Sequence, residues 1–121
     1  MPAPNITSND DFITFLTQAH GKLVVLDFYA DWCSPCKKIA PIFEQLFNDF
    51  SSNDVMLAKV DIQACSEVAD SFQVQKIPYF IFMREGRVLD NVSGTKEVKE
   101  GLLKTKIEGF LKQDQDQQGW L

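Results

Sequence analysis

The residues Leu23-Val24-Val25-Leu26-Asp27-Phe28-Tyr29 constrain this chain more than any others. They form a near-continuous apolar run rich in β-formers, the pattern of a strand buried at the centre of a sheet. A strand of that kind needs cover, which points to a sheet packed against other elements. One polar residue, Asp27, interrupts the run.

The neighbouring segments supply the cover. Ser8-Asn9-Asp10-Asp11 reads as a helix-capping box with Asp11 in place of Glu. Phe12, Phe15, Leu16 and Ala19 follow at helical spacing, and His20-Gly21 closes that helix. A second helix begins just after Cys33, with an apolar face of Ile39, Ile42, Phe43, Leu46, Phe47 and Phe50. Pro41 lies inside it and is expected to kink it. Val55 to Val60 reads as another buried strand, again interrupted by one charge, Lys59. Ser66 to Phe72 is a short helix, Tyr79 to Met83 a strand, and Glu85-Gly86 turns the chain back into Arg87 to Val92 as a hairpin. Val98, Leu102, Leu103, Ile107, Phe110 and Leu111 predict one last helix. Helices between strands require crossovers and hence parallel pairing, whereas the final two strands are antiparallel. The expected class is α/β, a mixed central sheet with helices on both faces.

A chain of 121 residues suits one domain with a core that needs no staples. The domain is expected over residues 1–112, followed by a frayed, Gln- and Asp-rich polar tail at 113–121 in which Trp120 has no assigned role. The net charge of −5 suits solubility and disfavours a nucleic-acid partner, which selects for a basic patch. No apolar run reaches the roughly 18 residues of a membrane span. The first residues, Met-Pro-Ala-Pro-Asn-Ile-Thr-Ser, lack the basic and then apolar regions of a leader. A cytoplasmic, reducing compartment is therefore expected.

The three cysteines fit that compartment better than a secreted disulfide scaffold. Two stand as Cys33-Ser34-Pro35-Cys36, where a strand ends and a helix begins. The first turn of a helix carries unpaired N–H groups and a positive dipole end, and both favour a thiolate. The thiolate is the nucleophile of disulfide exchange. Cys33 is accordingly expected to be acidic, exposed and reactive, and Cys36, one turn later on the same side, to resolve the mixed disulfide. The competing reading is half of a zinc site, which needs about four ligands. Only Cys65 and His20 remain to complete one, with no second CxxC and no spaced His pair, so no metal is expected.

Asp27-Phe28-Tyr29-Ala30-Asp31-Trp32-Cys33-Ser34-Pro35-Cys36-Lys37, followed by Ile39-Ala40-Pro41, resembles the active-site segment of the thioredoxin family. The likeness continues through Ala58-Lys59-Val60-Asp61, Ile77-Pro78 and Gly94, and covers roughly residues 5 to 112. It implies a mixed five-stranded sheet flanked by four helices, and a protein-disulfide reductase working by dithiol–disulfide exchange without a bound cofactor. Cys33 is then the nucleophile and Cys36 the resolving thiol. Asp27 is a buried acid beneath Cys36 that exchanges a proton with it, its pKa raised by desolvation. Lys59, on the neighbouring strand, modulates that proton. Pro78 is the family's cis-proline, which leaves the preceding Ile77 backbone free to pair with an extended substrate segment. Trp32, Ser34 and Pro35 line the binding surface, and Gly94 admits a substrate backbone.

The resemblance also implies partners: a thioredoxin reductase that supplies electrons from NADPH, and clients such as peroxiredoxins, methionine sulfoxide reductases or ribonucleotide reductase. The expected state is a monomer. Ser34 departs from the family's usual Gly, Tyr29 stands where Trp is common, and Tyr79 where Thr usually follows the proline. Cys65 is similar to the extra cysteine of some animal members, either a regulatory thiol or a small residue at a helix start. Two other functions fit the same fold. An oxidase or isomerase usually carries His between the cysteines, where this chain has Pro35. A redox-silent adaptor often loses a cysteine or the buried acid, and this chain keeps Cys33, Cys36 and Asp27.

Overall fold

The computed structural model describes residues 2–118, with side chains through residue 113. In chain order the elements are β1 (Asn5–Ile6), α1 (Asn9–Gln18), β2 (Leu23–Tyr29), α2 (Ser34–Phe50), β3 (Val55–Asp61), α3 (Ser66–Ser71), β4 (Tyr79–Arg84), β5 (Arg87–Ser93), α4 (Lys96–Lys99) and α5 (Leu102–Gln118). The strands form one sheet in the order β1-β3-β2-β4-β5, with β2 at its centre. β3 is parallel to β2 and to β1, while β4 runs antiparallel to β2 and to β5.

All seven residues of β2 are buried, as the apolar run requires. Because side chains alternate across a strand, the run feeds two separate packing layers. Leu23 and Val25 join Val55, Leu57, Phe80 and Phe82 beneath α2 and α5. Val24, Leu26 and Phe28 join Ala58, Val60, Ile81 and Met83 against α1 and α3. Burying a side chain of this size contributes about 1.5–3 kcal/mol, so the two layers together hold the sheet in place.

Helix boundaries follow local chemistry. Ser8 caps α1 by accepting the Asp11 N–H at 3.0 Å. Helix α2 runs through Pro41 to Phe50 without ending there. The single last helix expected from Val98 to Leu111 is two, which makes five helices among the described residues rather than four. Gly101 separates them by adopting a φ of 89°, in the left-handed region that favours a residue without Cβ. Val98 still packs with Leu103 and Ile107, which is why the apolar spacing reads as continuous. β1 has only two residues, too few to show a period, and pattern reading passes over it. Helix α5 continues to Gln118, so the expected division at residue 112 falls within it; Trp120 lies outside the described residues. Among the described residues, no helix is long and apolar enough to cross a membrane.

Candidate active site

Four chain segments meet at one end of the sheet: the end of β2, the start of α2, the start of β4 and the end of β5. After Tyr29 the chain turns, with the Cys33 N–H donating to the Ala30 carbonyl at 3.1 Å, and enters α2. Cys33 is the N-cap of that helix, and its Sγ accepts the Cys36 N–H at 3.2 Å. A sulfur therefore occupies the place where a helix start most often presents Ser, Thr or Asp. Pro35 lies in the first turn, where its missing N–H costs no hydrogen bond. Cys33 and Cys36 are joined by a disulfide, with Cα atoms 5.3 Å apart.

The expectation that Cys33 is exposed is corrected. It is only 3% exposed, packed with Tyr29, Ala30 and Cys36 and flanked by Ile62 and Ile77. An N-cap side chain folds back over its own helix, so its position at the end of a loop does not carry it into solvent. The neighbouring Trp32, at 64%, is among the most exposed large apolar residues described. Ser34 and Pro35 are also exposed.

Asp27 is 3% exposed, and its Oδ1 has no hydrogen-bond partner. Desolvation pushes its pKa up from 3.8 to about 7, with the nearby Glu44 acting in the same direction and Lys59 opposing both. Lys59 is the direct β3 partner of Asp27 in the sheet register. Its ammonium nevertheless sits over the Tyr29 ring, 4.4 Å from the centroid, a cation–π contact.

The Ile77–Pro78 bond is cis, Pro78 is buried, and Ile77 packs against the disulfide cluster. Tyr79, which opens β4, pairs with Ser93 of β5, and this register brings Gly94 alongside Pro78. Gly94 has a φ of 96°, and a Cβ there would meet only the Glu97 Oε2 at 3.5 Å. The turn demands glycine, and no protein atom crowds its outer side. The Tyr79 ring packs near Phe28 in the α1–α3 layer, centroids 6.4 Å apart.

The remaining candidates lie elsewhere. Cys65 is fully buried at the start of α3, its thiol directed at the Ile6 carbonyl, 3.5 Å away. Burial, aided by Asp61 and Asp11, raises its pKa above 9.0. His20 pairs with Glu85 at 3.1 Å near the start of β2. Among the described residues, no group of three or more His, Cys, Asp or Glu side chains could hold a metal ion. Sequence reasoning missed Glu44 and Asn5, and it noticed Tyr29 only as a departure. The available signal was the two-residue strand period, which puts Tyr29 on the same face of β2 as Asp27.

Comparison with known proteins agrees with this geometry. The family model described as thioredoxin matches residues 3–108. A thioredoxin of Equus caballus is 38% identical over 106 residues, covering 88% of this chain and 96% of the relative. The structure of Plasmodium falciparum thioredoxin superposes with a TM-score of 0.77 at 30% identity, covering 89% of this chain and 99% of the other. A structure of a complex of ferredoxin:thioredoxin reductase with thioredoxin f2 matches with a TM-score of 0.75 at 27% identity, over 88% of this chain and 94% of the matched one.

Proposed function

This chain belongs to the thioredoxin family, a family of protein-disulfide oxidoreductases, and from that premise we propose that it works as a reductant of protein disulfides. Dithiol–disulfide exchange at Cys33 and Cys36 is its chemistry. The observation that carries the reductive reading is a cysteine pair that caps a helix, bonded as a disulfide, with the Cys36 N–H on the Cys33 sulfur. In the reduced protein that N–H and the helix start would stabilise a thiolate on Cys33.

In the proposed cycle the Cys33 thiolate attacks one sulfur of a client disulfide. A Cys33–client mixed disulfide forms, and the other client sulfur leaves as a thiolate. Cys36 loses its proton to the Asp27 carboxylate and attacks the Cys33 sulfur. The second client sulfur leaves, takes up a proton, and the Cys33–Cys36 disulfide closes. Two electrons have passed to the client. A pKa near 7 lets Asp27 both accept and return that proton at neutral pH. Lys59 tunes it, and Trp32, Ser34, Pro35, Ile77, Pro78 and Gly94 form the surface for an extended client segment.

A thioredoxin reductase drawing on NADPH would restore the dithiol with two electrons and two protons. A reducing compartment such as the cytoplasm suits that cycle, and peroxiredoxins, methionine sulfoxide reductases and ribonucleotide reductase are the proposed clients. The test is Cys36→Ser. The substitution should trap clients as mixed disulfides that a reducing agent releases. Recovery of noncovalent complexes alone would favour a redox-silent adaptor instead.

A further inference from the structure

We propose that Tyr29 is a positioning residue: its ring, held by Asn5 of β1, seats the Lys59 ammonium and so fixes the charge beside Asp27. The proposal rests on the role given to Asp27 above and extends it to residues outside the CxxC site.

The register lays these groups out in a row. Asn5 pairs with Lys59 across β1 and β3, and Lys59 pairs with Asp27 across β3 and β2. Tyr29 lies two residues beyond Asp27 on β2, on the same face of the strand. Its hydroxyl donates to the Asn5 Oδ1 at 2.7 Å, while its ring lies 4.4 Å from the Lys59 Nζ. The backbone ties the same segment down, because the Lys59 N–H donates to the Pro4 carbonyl at 2.8 Å. A lysine has a flexible stem and a strongly hydrated head, so its ammonium stays at one place in a protein only when something holds it. Here the ring does so, within the roughly 6 Å over which a cation is attracted to an aromatic face.

Among the described residues, the charged groups acting on Asp27 come from two elements. β3 supplies Lys59, which favours the carboxylate, and α2 supplies Glu44, which disfavours it. β4 presents Phe80, which carries no charge. Glu44 is also anchored from the N-terminal segment, accepting the Ala3 N–H at 2.7 Å. Residues 3–5 thus touch the setting of both charges that bear on the buried acid. If the ring is removed, the Lys59 head is free to withdraw into water, and Asp27 should hold its proton to higher pH.

The test is an NMR titration of the Asp27 carboxyl carbon in the oxidised protein, where the disulfide keeps Cys33 and Cys36 from titrating. Tyr29→Leu should raise the midpoint by about half a pH unit or more. Tyr29→Trp, which restores an aromatic face, should bring it back towards the wild-type value. In a Lys59→Met background, Tyr29→Leu should have no further effect, since the ring acts through the ammonium. Asn5→Ala changes an exposed residue and should raise the midpoint in the same direction by a smaller amount. An unchanged or lowered midpoint in Tyr29→Leu, an equal rise in the Lys59→Met background, or no rise in Asn5→Ala would overturn the proposal. Disulfide turnover does not enter this readout, so a failure of the reductase reading would show separately.

Discussion

At the end of the sheet away from the disulfide, Glu85 in the turn between β4 and β5 accepts the Gly21 N–H and pairs with His20. His20 is 87% exposed and Glu85 46%, so both side chains face solvent. At the disulfide end, Asp27 is 3% exposed with one oxygen unpartnered, and its neighbouring cation rests on an aromatic ring. Both ends are made from the same strands, β2 and β4. The difference lies in how fully their polar atoms are satisfied. At the Glu85 end the carboxylate is partnered by a backbone N–H and an imidazole. The Asp27 end carries an incompletely satisfied acid, whose pKa burial moves into the working range of a proton exchanger.

The sharpest way to break this contrast is to remove a sulfur. Cys33→Ser should lower protein-disulfide reduction by about a thousandfold or more, because a hydroxyl cannot replace the attacking thiolate. Insulin reduction monitored by turbidity would measure the loss, and residual activity near wild type would place the chemistry elsewhere.

Asp27→Asn should slow resolution of the mixed disulfide by roughly tenfold to a hundredfold and remove the inflection near pH 7 from the rate profile. The same residue makes stability depend on pH. Its folded pKa of about 7 lies above the ordinary 3.8, so between those values the folded state binds more protons than the unfolded state. Stability should therefore fall as pH rises through that window, by about 3–4 kcal/mol, and level off above it. In Asp27→Asn the slope should flatten, and the variant should be the more stable protein at pH 8. Urea melts at a series of pH values would test this, and a wild-type protein that gains stability across the window would contradict it.

Glu85→Ala probes the opposite end. Exposed ion pairs are worth no more than about 1 kcal/mol, so thermal unfolding should shift slightly and disulfide turnover should not change. A turnover defect would mean that the two ends are coupled. The smallest effect expected is that of Ser34→Gly. Ser34 is exposed in the first turn of α2, and its removal should change the dithiol–disulfide equilibrium constant by less than about twofold. A larger shift, read by equilibration with glutathione, would make Ser34 a tuner of the potential.

Much of this contrast is legible in the sequence, and the illegible part has a physical cause. The β2 run, the helix start after Cys33 and the hairpin at Glu85-Gly86 follow from local pattern, and each is found. The break at Gly101 is hidden because the apolar spacing continues across it into the same core. The burial of Cys33 is hidden because an N-cap direction depends on the turn that precedes it. The contacts Asn5–Tyr29 and Ala3–Glu44 join residues 24 and 41 positions apart, and only the assembled sheet and α2 bring them together. Asp27 stands out from sequence alone because a lone acid in a seven-residue apolar strand has few structural reasons to be there.

Whether Cys33 and Cys36 form a reducing dithiol is decided by redox equilibrium titration of that pair. The pair should show a potential more negative than that of the glutathione pool, about −220 to −260 mV. A potential near the −120 to −180 mV of approximate oxidase and isomerase values would contradict it, and would assign the pair to forming or rearranging disulfides instead.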